Sequence, residues 1–102
     1  MERKKITATV SMFKEATSFN GNLTLWNAGA VADMSSMFYS GTSFNGDLSL
    51  WNVCAVTSMN GMFRGASSFN GNLSLWNVGA VKTCSQCLMQ LYYLMKICLL
   101  GT

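Results

Sequence analysis

The chain has 102 residues, of which 50% are hydrophobic and only 11% are charged. A chain of this length forms one domain at most, and its apolar content is sufficient for a buried core. The net charge of +3 comes largely from Arg3, Lys4 and Lys5 rather than from a basic stripe along the chain. Binding of nucleic acid is therefore not expected.

The side chains that most enzymes use are scarce. The chain contains no histidine, which is the usual general base near neutral pH. Its carboxylates occupy four unrelated positions: Glu2, Glu15, Asp33 and Asp47. We expect no acid–base pair, no enzymatic activity and no cofactor.

Residues 1–5 form a polar lead-in. No apolar run of signal-peptide length follows it, and no segment reaches the roughly 18 apolar residues of a membrane-spanning helix. The sequence predicts no membrane span and leaves the cellular compartment open.

A 25-residue unit repeats through residues 6–86. Its middle copy starts at Met37 and reads MFYSGTSFNGDLSLWNVCAVTSMNG, and Trp26, Trp51 and Trp76 mark the same position in three copies. A partial copy precedes them. A strict period in this range is typical of a solenoid, in which each copy buries its apolar face against its neighbours.

Two periodicities alternate within each copy. Apolar residues at i, i+3, i+4 and i+7 predict a short helical turn, as in Met59, Met62, Phe63 and Ala66. Asn45-Gly46 predicts a turn that tolerates positive φ. Residues 48–53, LSLWNV, predict a short strand, and its copies would stack in parallel. The predicted fold is an α/β repeat solenoid with stacked parallel strands and short helical turns.

The predicted strand leaves the placement of one leucine per copy open. If Trp51 points inward, the residues on the other side form an outward row: Leu25, Leu50 and Leu75 beside Asn27, Asn52 and Asn77. A bulge or turn at Leu50 would instead bring the leucines inward. An exposed row of three leucines would be a good interaction surface.

A second surface is indicated by variation between copies. The residue after each Met-Phe pair differs in every copy while the pair itself stays the same: Lys14, Tyr39 and Arg64. Such a position is free of core constraint, and we regard it as a candidate partner-binding column.

Residues 87–102 leave the repeat and predict an apolar helix. Its stripe consists of Leu88, Leu91, Tyr92, Met95, Cys98 and Leu99. A helix that is apolar nearly all round requires burial, which favours a cap over the open end of the coil. Self-association through this helix or the open coil ends is the alternative, followed by membrane contact or an artefactual tail.

Two local motifs carry possible chemistry. Cys84 and Cys87 form a C-x-x-C, but they occupy the positions of Met59 and Met62. Packing as reduced core cysteines is therefore expected, with a redox pair or a metal site as alternatives. A zinc site would require a second ligand pair.

The residue after each Asn-Gly pair bears on calcium and on glycosylation. It is acidic in one copy only, at Asp47, so calcium binding is not expected. In the other two copies it starts an N-glycosylation sequon, at Asn22 and at Asn72. Whether these sequons are used stays open.

The unit M-F-x-x-A-x-S-F-N-x-(D/N)-L-S-x-W-N-V-x-x-V-x-x-M-x-x resembles the BspA-type leucine-rich-like repeat of microbial surface proteins. The match runs from about Ile6 to Gln86. The resemblance implies a leucine-rich-repeat-like coil, a cell-surface or secreted location and adhesion to host or matrix proteins, without catalytic residues. The position before tryptophan is usually polar in that family, whereas here it is leucine.

The expected function is non-catalytic. We interpret the chain as a repeat module that presents the leucine and asparagine row, or the variable column, to a protein or glycan partner. The alternative is a structural spacer or a fragment of a longer repeat array that has no ligand of its own.

Overall fold

The computed structural model describes residues 4–88, 90–92, 94 and 96. Strand β1 is Lys4–Lys5, within the predicted polar lead-in, and β2 is Trp26–Asn27. The two strands pair in parallel. Residues 90–92, 94 and 96 are helical. Most of the remaining described backbone consists of turns and irregular structure.

The prediction of an α/β repeat solenoid with a leucine-rich-repeat-like coil is therefore wrong. The predicted strand at 48–53 contains a turn, and the predicted helical segment at 59–66 is a run of turns. Beyond the β1–β2 pair, parallel pairing among the described residues consists of single bridges from Asp33 to Ser58 and from Ser58 to Thr83. No layer of helices or strands results.

Left-handed residues explain why the predicted helical turns do not form. Ser36 has φ 57° and Ser40 has φ 55°, and Gly61 and Gly65 repeat this pair one period later with 62° and 73°. An α-helix requires φ near −63° at every residue. A positive φ at two positions four residues apart therefore interrupts the helix, whatever the spacing of the apolar side chains.

The backbone of this segment bonds alternately to itself and to the next copy. The N–H groups of alternate residues donate to carbonyls of the next copy at 2.7–2.9 Å: Ser36 to Asn60, Phe38 to Met62, and Ser40 to Arg64. The residues between them donate to the carbonyl three positions earlier: Met37 to Met34, Tyr39 to Ser36, and Gly41 to Phe38. Backbone donors are thereby satisfied without a helix or a sheet.

Two phenylalanine columns form the centre of the core. The first is Phe13, Phe38 and Phe63, with successive ring centroids 5.6 and 5.5 Å apart. The second is Phe19, Phe44 and Phe69, with successive centroids 5.9 Å apart. Phe38 and Phe44 also stack on each other at 4.2 Å within one copy. Stacked aromatic pairs stabilise the core beyond the area that they bury.

Buried side chains otherwise follow the sequence pattern. Met59, Met62, Phe63 and Ala66 are buried, as their spacing predicted, although their backbone is not helical. The indole N–H of Trp51 donates to the carbonyl of Leu23 at 3.0 Å, one copy back. Each buried indole donor thus finds an acceptor in its neighbour, since Trp76 repeats this bond to Leu48.

The Asn-Gly pairs do not form the predicted positive-φ turns, because neither Asn45 nor Gly46 has a positive φ. A Cβ on Gly46 would lie 2.7 Å from Cε1 of Phe44, so the glycine makes room for that ring. The asparagine side chain bonds between copies. The Asn45 N–H donates to Asn20 Oδ1, and the Asn70 N–H donates to Asn45 Oδ1, both at 2.8 Å.

The C-terminal side of the core is closed by residues that leave the repeat. Leu91 is fully buried. The Gln90 side chain accepts from the Leu73 N–H at 3.0 Å and donates to the Gly71 carbonyl at 2.7 Å. The rest of the predicted tail helix, at 89, 93, 95 and 97–102, lies outside the described residues. No helix in the described part of the chain is long and apolar enough to cross a bilayer.

Candidate functional site

The leucine ladder, which we define as Leu25, Leu50 and Leu75, is exposed to solvent. The exposed fractions of the three side chains are 42%, 73% and 75%. Trp51 and Trp76, which follow two of these leucines, are only 4% exposed. Of the two placements that the sequence left open, the outward one is therefore found. Three leucines at one repeat position form a candidate partner surface.

A β-turn before each tryptophan directs the ladder outward. The Trp51 N–H donates to the Leu48 carbonyl at 3.1 Å, which makes Ser49 and Leu50 the central residues of the turn. The Asp47 carboxylate accepts from the Ser49 N–H at 2.9 Å and fixes the entry to this turn. Leu48 and Trp51 are buried at the two ends of the turn. Leu50 is consequently left at the corner.

The asparagine row, defined as Asn27, Asn52 and Asn77, lies beside the ladder. Each side-chain Oδ1 accepts from the N–H two residues later at 3.0 Å: that of Gly29, Cys54 and Gly79. All three asparagines are exposed. Since the Oδ1 atoms are held by the backbone, the side-chain NH₂ groups are the part of the row that can donate to a partner.

The cationic column, defined as Lys14, Tyr39 and Arg64, is a stack of side chains from three successive copies. The Lys14 Nζ lies 5.2 Å from the Tyr39 ring centroid, and the Arg64 Cζ lies 5.5 Å from it. The Arg64 Nη1 also donates to Gln86 Oε1 at 2.7 Å. The variation that marked this column in the sequence thus corresponds to a cation–π arrangement.

Cys84 and Cys87 form a disulfide and are not the reduced pair that the sequence suggested. Both are partly buried and pack against the core. They line a shallow cavity of about 270 Å³ together with Gln86 and Tyr92. Sequence reasoning did not identify this cavity, because the C-x-x-C occupies positions that hold core methionines in the other copies.

The described residues include no group of three or more side chains placed to hold a metal ion. Cys54, the other cysteine within them, is exposed and unpaired.

Hydrogen bonds from the Ser49 side chain and backbone lower the pKa of the Asp47 carboxyl below its ordinary value of 3.8. The side chains of Asn22 and Asn72 accept the equivalent backbone N–H bond in the other copies. The Asp47 carboxylate therefore has a role in the turn.

These features define a repeat protein with an outward apolar row and a cationic column. The chain belongs to the DUF285 family, described as "Mycoplasma protein of unknown function, DUF285", whose sequence model matches residues 1–96. The predicted membership of the BspA-type leucine-rich-like repeat family is therefore wrong. No curated protein and no solved structure matches the chain significantly.

Proposed function

We propose that the chain is a non-catalytic binding module that presents the leucine ladder and the asparagine row as one face to a protein partner. The observation that supports the proposal is the exposure of Leu50 and Leu75, at 73% and 75%. Burial of an exposed leucine side chain contributes about 1.5–3 kcal/mol. Contact with all three leucines would therefore contribute substantially to affinity.

The chemistry of this face favours protein over glycan. Leucine offers no polar atom to a sugar hydroxyl and no aromatic ring on which a sugar can stack. It matches apolar side chains of a protein, and the adjacent asparagine NH₂ groups match backbone carbonyls. A glycan ligand is the alternative outcome of the same test.

The cationic column is a second candidate contact of the module. Lys14 and Arg64 come from the copies on either side of Tyr39 and lie over its ring. The ring already contacts two cations, and positive charge is what the column offers. An acidic segment of a protein partner would be attracted to it.

The proposal does not assign a location. A surface or secreted location and an adhesive role were implied by the BspA-type resemblance, which the family match replaces. If the chain is instead a structural spacer, its exposed leucines have no partner. Substitution of the ladder then changes no binding affinity, which distinguishes the spacer from the binding module.

The test is a selection of peptides from a displayed random library on the purified chain, together with a glycan array. We expect the selection to yield peptides with apolar side chains. Their affinity for Leu50→Ser/Leu75→Ser should be at least about tenfold lower than for the wild type. The matched control is Ala55→Ser/Ala80→Ser, which changes two exposed residues outside the ladder. Recovery of no ligand, or equal binding to both variants, would contradict the proposal.

A further inference from the structure

The last turn of the repeat lacks a hydrogen bond that the earlier turns have. The Met37 N–H donates to the Met34 carbonyl at 3.3 Å, and the Met62 N–H donates to the Met59 carbonyl at 3.1 Å. At the equivalent position, no bond joins the Cys87 N–H to the Cys84 carbonyl. The disulfide joins the same two positions covalently.

The residues directly after the last turn do not repeat the unit. In the earlier copies, the left-handed residue of the turn donates its N–H to the next copy, as from Ser36 to Asn60 and from Gly61 to Ser85. Gln86 has the same left-handed φ of 57°. Residues 87–96 leave the repeat, however. The last turn keeps its bonds to the previous copy, as from Gly61 to Ser85, and the disulfide replaces the bond within the turn.

The disulfide is within reach of a small thiol. Both cysteines are partly exposed and line the cavity of about 270 Å³. Tyr92, at its edge, is 49% exposed, so the cavity opens to solvent. Accessible disulfides are in general the ones that exchange with thiols, whereas buried structural ones resist reduction.

We propose that Cys84–Cys87 is a redox site at which a dithiol reductant opens the C-terminal closure formed by Gln90 and Leu91. One thiolate of the reductant attacks one sulfur, which breaks the S–S bond, forms a mixed disulfide and releases the other cysteine as a thiolate. The second thiol of the reductant then attacks the reductant's sulfur in the mixed disulfide, which releases the first cysteine. Two electrons and two protons pass to the cysteines, and the reductant leaves as a cyclic disulfide.

The connection from disulfide to closure is short. Cys87 precedes Leu88, whose carbonyl accepts from the Leu91 N–H at 3.0 Å. Leu91 is fully buried, and Gln90 beside it holds the backbone of Leu73. Reduction of the disulfide allows the turn at Cys84–Cys87 to widen, and this loosens the attachment of the segment that carries Gln90 and Leu91.

The test is amide hydrogen exchange of the full chain before and after dithiothreitol, with alkylation and mass mapping to measure reduction of each cysteine. We expect complete reduction without denaturant and exchange about tenfold faster at the Leu73 and Leu91 amides. The Phe38 amide, which donates to Met62 in the interior of the repeat, should be unchanged.

The control variant is Cys84→Met/Cys87→Met, which restores the residue pair of the earlier copies. Its exchange should not respond to dithiothreitol. The proposal is overturned if the wild-type disulfide resists dithiothreitol under native conditions. It is equally overturned if full reduction leaves the Leu73 and Leu91 amides as protected as before, or if the control variant responds like the wild type.

Discussion

The phenylalanine columns and the leucine ladder have the same period and a similar apolar character. The columns lie in the core, however, whereas the ladder is exposed to solvent. Phe44 is 1% exposed and Leu50 is 73% exposed, although only five residues separate them. Phe44 stacks on rings of both neighbouring copies. Leu50 sits at the corner of a turn.

The difference shows that repetition of an apolar residue does not by itself identify a core position. The phenylalanines recur because each ring needs a ring above and below it. The leucines recur at a position that the core does not use, and at which a polar residue would be satisfied by water. Under the proposed function, they recur because a partner contacts them.

The largest effect is expected from removing a ring of the phenylalanine columns. Phe44→Ala should lower the free energy of unfolding by about 3–5 kcal/mol, because it leaves a cavity in both stacks. Leu50→Ala should change it by less than about 0.5 kcal/mol. Urea unfolding monitored by tryptophan fluorescence compares the two variants. Equal losses would contradict the contrast between columns and ladder.

A smaller effect is expected from adding a methyl group beneath the same ring. Gly46→Ala would place its Cβ 2.7 Å from Cε1 of Phe44, a ring held between two others. The expected loss in unfolding free energy is about 1–3 kcal/mol. Gly79→Ala is the control, since its Cβ would meet only the side-chain Oδ1 of Asn77, at 3.1 Å. A Gly46→Ala variant as stable as this control would show that the ring is free to move.

The smallest effect concerns the turn that carries the ladder. Hydrogen bonds from Ser49 hold the folded-state pKa of Asp47 below the ordinary 3.8, so the ionised carboxylate stabilises the fold above that pH. This contribution is lost as the pH falls through the folded-state pKa. Asp47→Asn introduces the residue found in the other copies and removes the titration.

Thermal unfolding at about pH 5 and about pH 2 measures the loss of stability on the acid side. The wild type should lose slightly more in Tm than Asp47→Asn over this interval, and the two should have similar Tm at the higher pH. An equal acid-side loss in both proteins would mean that the bond from Ser49 does not depend on the charge of Asp47.

The sequence was sufficient for the period and for most of the buried positions. The recurrence of Trp51 and the spacing of Met59, Met62 and Phe63 identify large apolar side chains that are unfavourable in water. Their burial could therefore be predicted. Backbone conformation did not follow. Ser36 and Ser40 adopt a positive φ that is uncommon for serine. The signal lay in the next copy, where Gly61 and Gly65 occupy the equivalent positions, and the apolar spacing outweighed it.

The candidate site was predictable in part for related reasons. The variation at Lys14, Tyr39 and Arg64 identified a column free of core constraint, but not the contacts of its cations with the ring. The outward placement of Leu50 depends on a turn that alternation of residues cannot distinguish from a strand. The disulfide was kept only as an alternative, in the form of a redox pair, because Cys84 and Cys87 replace methionines and cysteine packs equally well as a small apolar residue.

The most direct test of the account is a binding titration of a peptide selected on the wild type against Leu50→Ser/Leu75→Ser, with circular dichroism and urea unfolding of the same samples. We expect an unchanged spectrum, an unfolding free energy within about 0.5 kcal/mol of the wild type and an affinity at least about tenfold lower. Unchanged affinity in the folded double variant would contradict the assignment of the ladder as the binding face. A large loss of stability would show instead that the leucines serve the fold.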